Sequence, residues 1–419
     1  MRKTPLTAVR ARRRLTLNVR AWNPNDSGRI VLEKGTNLTR DEGLLDLLKA
    51  DYGDVVEIDE RRQFFDRAAP VSSWPQLKSF KGRVLVVMPS NAIGDCAMVL
   101  CALAAVKDAA PDLELGVAFV GRSHPVFPWD PDIRVHPYVL HENELKQYQG
   151  LVDLYNFKAW GGQAYTPFDF EGELLKAFAV PPSPRIAGKG RPPRDPNNPV
   201  IRVFPMASSP VRNLPPAATA ALARAAADVG QVEIVLSPYQ PETDRYIAAL
   251  KDELPAGVGI TTDIRRIRDL IKKVAETDYG IFTDSGPCHI AKLYDVMGFA
   301  VFTTIPAELR VGRYHNIRVW QARYSGRHCT APCGLSMLLR TPSGKRGCWE
   351  TLGPEHGGYR VSKVVGDRDE CFGFTFVNPV PCVATLRDGA PDLAQALAED
   401  IDTRLVRGLA EPADAGTSR

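Results

Sequence analysis

Two glycine-containing turns constrain this chain more than any other feature, because each leaves an apolar β-type run and opens a helix. The first follows Val84-Leu85-Val86-Val87-Met88 and reads PSNAIGD before the helical run CAMVLCALAAVKDAA. The second follows Tyr279-Gly280-Ile281-Phe282-Thr283 and reads DSGPCHIAKLY. Each places backbone N–H groups, an acidic side chain and a helix N-terminus at the carboxyl end of a parallel-type strand. Open α/β sheets bind ligands there, and anionic groups favour the positive end of a helix. Two such turns, in separate halves of the chain, predict two doubly wound lobes facing each other across a cleft.

The 419 residues are enough for two or three domains, each with its own core. An apolar share of 44% and a charged share of 24% are ordinary for a soluble globular protein. The formal charge of +4 fits an anionic ligand without demanding nucleic acid or a membrane. No apolar run approaches the ~20 residues of a membrane span. The basic N-terminus, MRKTPLTAVRARRRLTLNVR, lacks the apolar centre of a secretory signal, so a cytoplasmic location is expected. It reads as a solvated terminus, with docking on an anionic lipid or partner as the alternative.

Residues 1–80 read as an independent, β-rich preface. RRLTLNVRAW, GRIVLEKGTNL and DVVEIDE are short alternating strands around a helical DEGLLDLLKA segment, for which Asp41 is the N-cap. From Lys81 the pattern turns α/β, and residues 81–180 form the first lobe. Strand Val84–Met88, helix Asp95–Ala109 and strand Leu115–Val120 are followed by strands at Asp132–Val139 and Leu151–Phe157. The stretch from Pro181 to Pro199, rich in proline, glycine and charge, is the interdomain linker.

Residues 200–310 form the second lobe. Strands are expected at Val200–Phe204, Val232–Leu236, Tyr279–Thr283 and Ala300–Thr304. Helices are expected at Pro216–Val229, Glu242–Leu254, Ile264–Glu276 and Gly286–Tyr294. Such alternation implies parallel sheets with right-handed crossovers. Residues 311–390 are cysteine-rich with little periodicity, and residues 391–419 hold an amphipathic helix and a polar tail.

The sequence contains no GxxxxGK[ST] or GxGxxG loop and no HExxH, which argues against a P-loop nucleotidase, a dinucleotide dehydrogenase or a zincin. SNAIGD at the first turn, SSPVRNLP after the linker and DSGPCHIAKLYDVMGFAVFTT instead resemble, in this order, the heptosyltransferases of glycosyltransferase family 9. The resemblance covers roughly Arg83 to Pro306. It implies the GT-B fold, two Rossmann-like domains facing across a cleft, and an ADP-heptose donor.

By that resemblance Asp95, after Gly94, is the general base. A carboxylate at the bottom of a cleft can take the proton of an acceptor hydroxyl as it attacks the anomeric carbon. Without the resemblance, Asp95 reads as an N-cap for the helix it opens. Arg212 stands where the family has the Lys of Lys-x-Trp-Pro, and Leu214 replaces the Trp. Arg still supplies a permanent cation for a diphosphate, and Ser208 and Ser209 add hydroxyl donors. Asp284 resembles the residue that hydrogen-bonds the donor sugar, and Ser285 and Gly286 those that wrap the diphosphate. Gly286 lets the backbone approach closely. His289, one turn into the helix, either touches phosphate or braces the turn from the core, the second being favoured. The family inverts configuration in one displacement and needs no catalytic metal. The acidic pairs Asp130-Pro131-Asp132 and Asp367-Arg368-Asp369 are read as decoys of a metal-binding DxD.

Of eight cysteines, Cys96, Cys101 and Cys288 read as small buried apolar residues beside the turns. The other five, Cys329, Cys333, Cys348, Cys371 and Cys382, cluster in one segment, which in a cytosolic chain favours a metal over disulfides. Thiolates suit zinc or iron, and scattered structural thiols are the alternative. The autotransporter heptosyltransferases within the family carry a four-cysteine iron site in this region. The resemblance in placement implies Cys329, Cys333, Cys348 and Cys371 as ligands, with Cys382 as substitute, in a structural role.

These readings converge on an inverting glycosyltransferase that moves a heptose from ADP-heptose to an acceptor hydroxyl. The acceptor is a glycan, a lipid-linked sugar or a protein hydroxyl, and a homo-oligomer is compatible with the chain. A non-catalytic nucleotide-sugar-binding protein and a GT-B sugar-nucleotide epimerase or hydrolase are the alternatives.

Overall fold

The structure is a computed structural model. It describes residues 7–21, 29–39, 41–59, 69–70, 82–88, 92–119, 133–137, 139–154, 169–181, 193–238, 243–327, 330–334 and 379–407. The chain divides into two units. One comprises Met1–Gly162, Phe170–Ile186 and Arg266–Arg268, the other Gln163–Asp169, Ala187–Arg265 and Asp269–Arg419.

The first unit begins with β1 (Thr7–Ala11), β2 (Leu15–Asn18), β3 (Arg29–Leu32), β4 (Gly35–Thr39), α1 (Glu42–Asp51) and β5 (Val56–Asp59). β1 lies antiparallel between β4 and β5, and β2 pairs with β3. Asp41 caps α1 as expected, its side chain accepting the Leu44 N–H at 2.9 Å. There follow β6 (Ala69–Pro70), β7 (Arg83–Val87), α2 (Ile93–Ala109), β8 (Glu114–Phe119), β9 (Ile133–Pro137), β10 (Leu140–His141), α3 (Glu142–Leu145), β11 (Gly150–Asp153) and α4 (Phe170–Ala177).

A parallel sheet of order β6-β11-β7-β8-β9 forms the centre of this unit. β7 is flanked on both sides and Val84–Val87 are fully buried, which explains their unbroken apolar run. From β7 the chain steps one way to β8 and β9, then returns to β11 on the other side. The strand order therefore reverses at β7, whose carboxyl end carries the first glycine turn. Cys96 and Cys101 of α2 are buried, as read from the sequence.

The N-terminal strands are not the independent preface that the sequence suggested. Alternation along β1 sends Val9 and Ala11 into a cluster with Leu15, Leu17 and Leu32 and with Leu44, Leu45 and Leu48 of α1. It sends Ala8 to the other face, where Leu38 joins Leu85, Val87, Ala118, Leu140, Tyr148 and Leu151 around the parallel sheet. β10 then pairs with β4, adding a strand from far down the chain to the N-terminal sheet. A sheet that is apolar on both faces needs a layer on each, and the parallel sheet supplies one of them.

The second unit contains β12 (Val200–Phe204), α5 (Pro216–Ala227), β13 (Gln231–Val235), α6 (Thr243–Lys251), β14 (Gly259–Thr261), α7 (Ile267–Ala275), β15 (Tyr279–Thr283), α8 (Gly286–Leu293), β16 (Met297–Phe302), α9 (Glu308–Val311) and β17 (Ile317–Gln321). After the short pair β18 (Tyr324–Ser325) and β19 (Thr330–Ala331) come α10 (Pro381–Asp388) and α11 (Ala390–Ile401). Its sheet is wholly parallel, with order β14-β13-β12-β15-β16-β17. This is two halves running outward from a switch point between β12 and β15, the strand order of the doubly wound nucleotide-binding fold.

β17 carries the sheet beyond residue 310, and the C-terminal helices complete its core rather than standing apart as a separate tail. Leu386 of α10 and Leu393, Leu397 and Ile401 of α11 are buried with Leu222, Ala223 and Ala226 of α5. The buried Tyr279 hydroxyl donates to the Asp400 carboxylate. Arg404 reaches the same carboxylate at 3.3 Å and the Asn316 carbonyl at 2.7 Å. Burial and the neighbouring carboxylate push the Tyr279 hydroxyl well above its ordinary pKa. Asp278 accepts the N–H groups of Arg194 and Val200, at 3.2 and 2.9 Å, and so fixes the end of the linker to this sheet.

Truncating a fully buried leucine leaves a cavity and costs about 2–5 kcal/mol. Leu397→Ala should therefore lower the melting temperature of the second unit by several degrees in calorimetry. A change of less than about 0.5 kcal/mol, the scale of an exposed site, would show that α11 is not part of the core.

Candidate functional site

β12 and β15 are distant in sequence but adjacent in the sheet, with Phe204 opposite Phe282. Their rings stack at 5.5 Å between centroids. The topology thus brings the loop after β12 beside the loop after β15, at the switch point where doubly wound sheets bind ligands. The loop after β12 closes on itself: Asn213 Oδ1 accepts the Ala207 N–H at 2.6 Å, and Leu214 N–H donates to the Pro205 carbonyl at 2.9 Å. Between these ties a single 3-10 turn, Pro210–Arg212, presents Arg212. After β15 the chain bends at Asp284, passes through the extended Ser285 and enters α8. Ser285 occupies the N-cap position without a side-chain capping bond, and its Oγ turns back to the Thr283 carbonyl at 3.4 Å. The first N–H groups of α8 therefore lack the usual side-chain acceptor.

Arg212 joins the two loops. One terminal nitrogen donates to the Asp284 carbonyl at 2.6 Å and lies 3.4 Å from Asp284 Oδ2, while the other donates to Ser208 Oγ at 3.0 Å. Asp284 is only 3% exposed, and His289 Nε2 stands 3.6 Å from its Oδ1. Burial alone would raise the Asp284 pKa, but Arg212, with His289 and Arg310, outweighs it and holds the carboxyl well below the usual range. Burial and the charge of Lys292 push His289 down to about 4, although Asp284 opposes the shift. At neutral pH the site thus holds a guanidinium, a carboxylate and a neutral imidazole.

Ser209 Oγ, Arg212 Nε, Asn213 Nδ2, Thr283 Oγ1, His289 Nδ1 and Thr304 Oγ1 are all buried without a hydrogen-bond partner. Every one lies at the carboxyl end of β12, β15 or β16, and among the described residues only Asp41 Oδ2 and Asn316 Oδ1 share that state elsewhere. Each such group costs about 1–3 kcal/mol if it stays unmade. Folded proteins hold few of them, and a cluster calls for a ligand or solvent that completes it. Most of these atoms are donors and they surround a helix N-terminus, so the complementary group is an oxygen-rich anion.

The structure gathers Ser208, Ser209, Arg212, Asp284, Ser285, Gly286 and His289 at one edge of the second unit. It also pairs Arg212 with Asp284, which the sequence treated as separate ligands. Asn213, Thr283 and Thr304 were missed, although each stands at the end of an expected strand or within the motif around Arg212. His289 is 3% exposed.

In the first unit, Ala92 is the N-cap of α2 and Asp95 is its third residue, partly exposed in the first turn. Asp95 is therefore not the cap. It stands beyond the carboxyl end of β7, where a negative charge suits the helix dipole. Pro89, Ser90 and Asn91 of the first turn lie outside the described residues, as do residues 182–192 of the linker. So do Asp130, Asp132, Asp367, Asp369, Cys329, Cys348 and Cys371. Cys333 is half-buried, and Cys382 is buried in the first turn of α10. Among the described residues no group of three His, Cys, Asp or Glu side chains is placed to hold a metal. Among them, too, no helix is long and apolar enough to cross a membrane.

No family model and no curated protein matches the chain. Solved structures of glycosyltransferases do match it, among them heptosyltransferases. E. coli heptosyltransferase WaaC with ADP is 13% identical, over 57% of this chain and 93% of that one, with a TM-score of 0.42. E. coli ADP-heptose lipopolysaccharide heptosyltransferase II is 17% identical, over 58% and 91%, with a TM-score of 0.43. TibC, an iron-containing dodecameric glycosyltransferase from enterotoxigenic E. coli, is 10% identical, over 96% and 92%, with a TM-score of 0.44.

The pair His289–Asp284 gives the fold a defined acid sensitivity. The unfolded imidazole takes up a proton near 6.5, whereas the buried one resists until about 4. Stability is therefore lost as pH falls through that window. Asp284, depressed from 3.8, adds its loss below that value. Melting curves should fall between pH ~6.5 and ~4, and His289→Gln should flatten that segment. An unchanged slope in the variant would refute the assignment.

Proposed function

We propose that the chain is a glycosyltransferase that moves a sugar from a nucleoside-diphosphate donor to an acceptor hydroxyl. The observation that carries this reading is the cluster of unpaired buried polar atoms around Arg212 and the α8 N-terminus, at the switch point between β12 and β15. Its chemistry fits a pyrophosphate. Arg212 offers a planar fork of donors that stays charged at every working pH, Ser208 and Ser209 offer hydroxyls, and Gly286 lets phosphate oxygens meet the backbone.

In this reading Asp284 holds the guanidinium in place while its own charge is neutralised. As the bond from the anomeric carbon to the phosphate oxygen breaks, negative charge grows on the leaving diphosphate. Arg212 and the first N–H groups of α8 stabilise it without having to reorganise. Asp95 takes the proton of the acceptor hydroxyl as the new bond forms. One in-line displacement inverts the anomeric centre. We propose ADP-heptose as the donor, on the motifs SNAIGD, SSPVRNLP and DSGPCHIA, with a glycan, a lipid-linked sugar or a protein hydroxyl as acceptor. We further propose a homo-oligomer and, from the placement of the cysteine cluster, a structural iron or zinc on Cys329, Cys333, Cys348 and Cys371, with Cys382 as substitute. Such a metal would pin a segment poor in apolar residues, and no step of the transfer passes through it.

Thermal-shift measurements with ADP-, UDP- and GDP-linked sugars should show the largest stabilisation by an ADP-linked donor. Asp95→Asn should lower transfer by about 10²–10⁴-fold, the range of a lost general base, and leave the donor dissociation constant within about twofold. Arg212→Gln should weaken donor binding by about tenfold, on the scale of one charge-assisted contact. If Asp95→Asn leaves turnover intact, the catalytic role fails. If wild type binds the donor but never turns over, the chain is a nucleotide-sugar-binding protein instead.

A further inference from the structure

The 3-10 turn that presents Arg212 is held from outside its own loop. Thr303, the first residue after β16, is 2% exposed, and its hydroxyl donates to the Val211 carbonyl in that turn. In the sheet β15 lies between β12 and β16, and two strand spacings amount to about 9–10 Å. The β12 and β16 loops therefore meet over the carboxyl end of β15. There the Arg212 side chain docks on Asp284, the residue after the strand just crossed, donating to its carbonyl at 2.6 Å.

Thr303 is itself braced. Gln321, the last residue of β17, donates its side-chain amide to the Phe302 and Thr303 carbonyls at 3.3 and 3.0 Å. Its Oε1 accepts the Ala307 N–H at 2.9 Å, and the Ala322 N–H donates to the Phe302 carbonyl at 2.8 Å. The backbone of Thr303 is thus fixed by β17, and its hydroxyl is a firm point against which the turn rests. At the far end of the β12 loop, the buried Tyr246 hydroxyl of α6 donates to the Leu214 carbonyl at 2.9 Å. Val211, between these ties, is fully buried, so its carbonyl needs the partner that Thr303 provides.

We infer that Thr303 is a positioning residue for the donor site, its hydroxyl setting the 3-10 turn so that Arg212 stands against Asp284 and the α8 N-terminus. The inference rests on the glycosyl-transfer reading above and adds to it the group that places the phosphate-binding cation. A guanidinium on a long side chain has many rotamers, and a turn fixed at the preceding residue narrows them before the ligand arrives. Without the Thr303 hydroxyl the loop keeps its own ties, Asn213 to Ala207 and Leu214 to Pro205. The loop then stays closed while the placement of Arg212 loosens.

The test is calorimetric titration of the full chain with ADP, UDP and GDP, for wild type, Arg212→Gln, Thr303→Val, Thr303→Ser and the double variant with Arg212→Gln and Thr303→Val. Valine keeps the shape of threonine without its hydroxyl. Thr303→Val should weaken binding of the preferred nucleotide about fivefold, the scale of one lost hydrogen bond, and Thr303→Ser should recover most of that loss. In the Arg212→Gln background the same change should weaken binding by less than about twofold, because the cation that Thr303 positions is gone. Equal weakening in both backgrounds would indicate a merely structural role and overturn the inference, as would an affinity of Thr303→Val within about twofold of wild type. Should Thr303→Val not fold, Thr303→Ala carries the same comparison. If wild type binds none of these nucleotides, the transferase reading fails and this inference falls with it. If wild type binds and Arg212→Gln leaves the affinity unchanged, Arg212 is not the phosphate cation and the inference is overturned. If Arg212→Gln weakens binding and Thr303→Val does not, only this inference is lost.

Discussion

The Arg212–Asp284 contact is the interaction on which the arrangement of the loops at the carboxyl edge of the second sheet depends. A carboxylate buried to this depth would be expensive to keep ionised without a cation beside it, and Arg212 supplies one that never deprotonates. Removing either partner would strand the other charge in a water-poor loop junction. The same contact bridges two segments that meet only because the sheet places β12 beside β15. It leaves the Arg212 Nε and several hydroxyls without a partner, beside a helix start that has no side-chain cap. A pair that neutralises itself and yet sits inside a field of unmet donors is suited to hold a cation ready for an anion.

The strand β15 shows how stability and chemistry are kept apart. At its first residue, the Tyr279 hydroxyl is fastened to Asp400 of α11, and Arg404 ties that carboxylate to the Asn316 carbonyl. At its last residue, Thr283 Oγ1 lies unpaired beside Asp284. The amino end is thus tied by hydrogen bonds to the C-terminal helices, while the carboxyl end holds most of the unpaired polar atoms. Folding free energy comes from the core between them, where Phe204 and Phe282 stack and α5 and α11 bury their leucines and alanines. A site whose donors are fixed by such a core needs little reorganisation when charge develops on a bound group.

Much of this was legible in the residues. Val200–Phe204 and Tyr279–Thr283 read as strands with the bounds the structure gives them, because strands covered on both faces leave unbroken apolar runs. Asp41 announced the start of α1, and Cys96, Cys101 and Cys288 read as buried apolar residues, which they are. The N-terminal segment was misjudged because its place is settled by long-range pairing. β10 is a two-residue strand, too short to leave a pattern, yet it fixes β4 against the first parallel sheet. β1 was hidden in a basic stretch that reads as a solvated terminus.

By itself, then, the sequence determined where strands give way to helices and which turns present donors at strand ends, since these follow from local period and from the few residue types a turn accepts. It also singled out Arg212, Asp284 and His289, which the structure brings together at one sheet edge. That Arg212 lies on Asp284, that α11 closes the second core and that Thr303 holds the turn of Arg212 were decided only by the tertiary structure. The reason is that strand order is set by how layers pack, and residues far apart in the chain become neighbours only when β12 and β15 settle side by side.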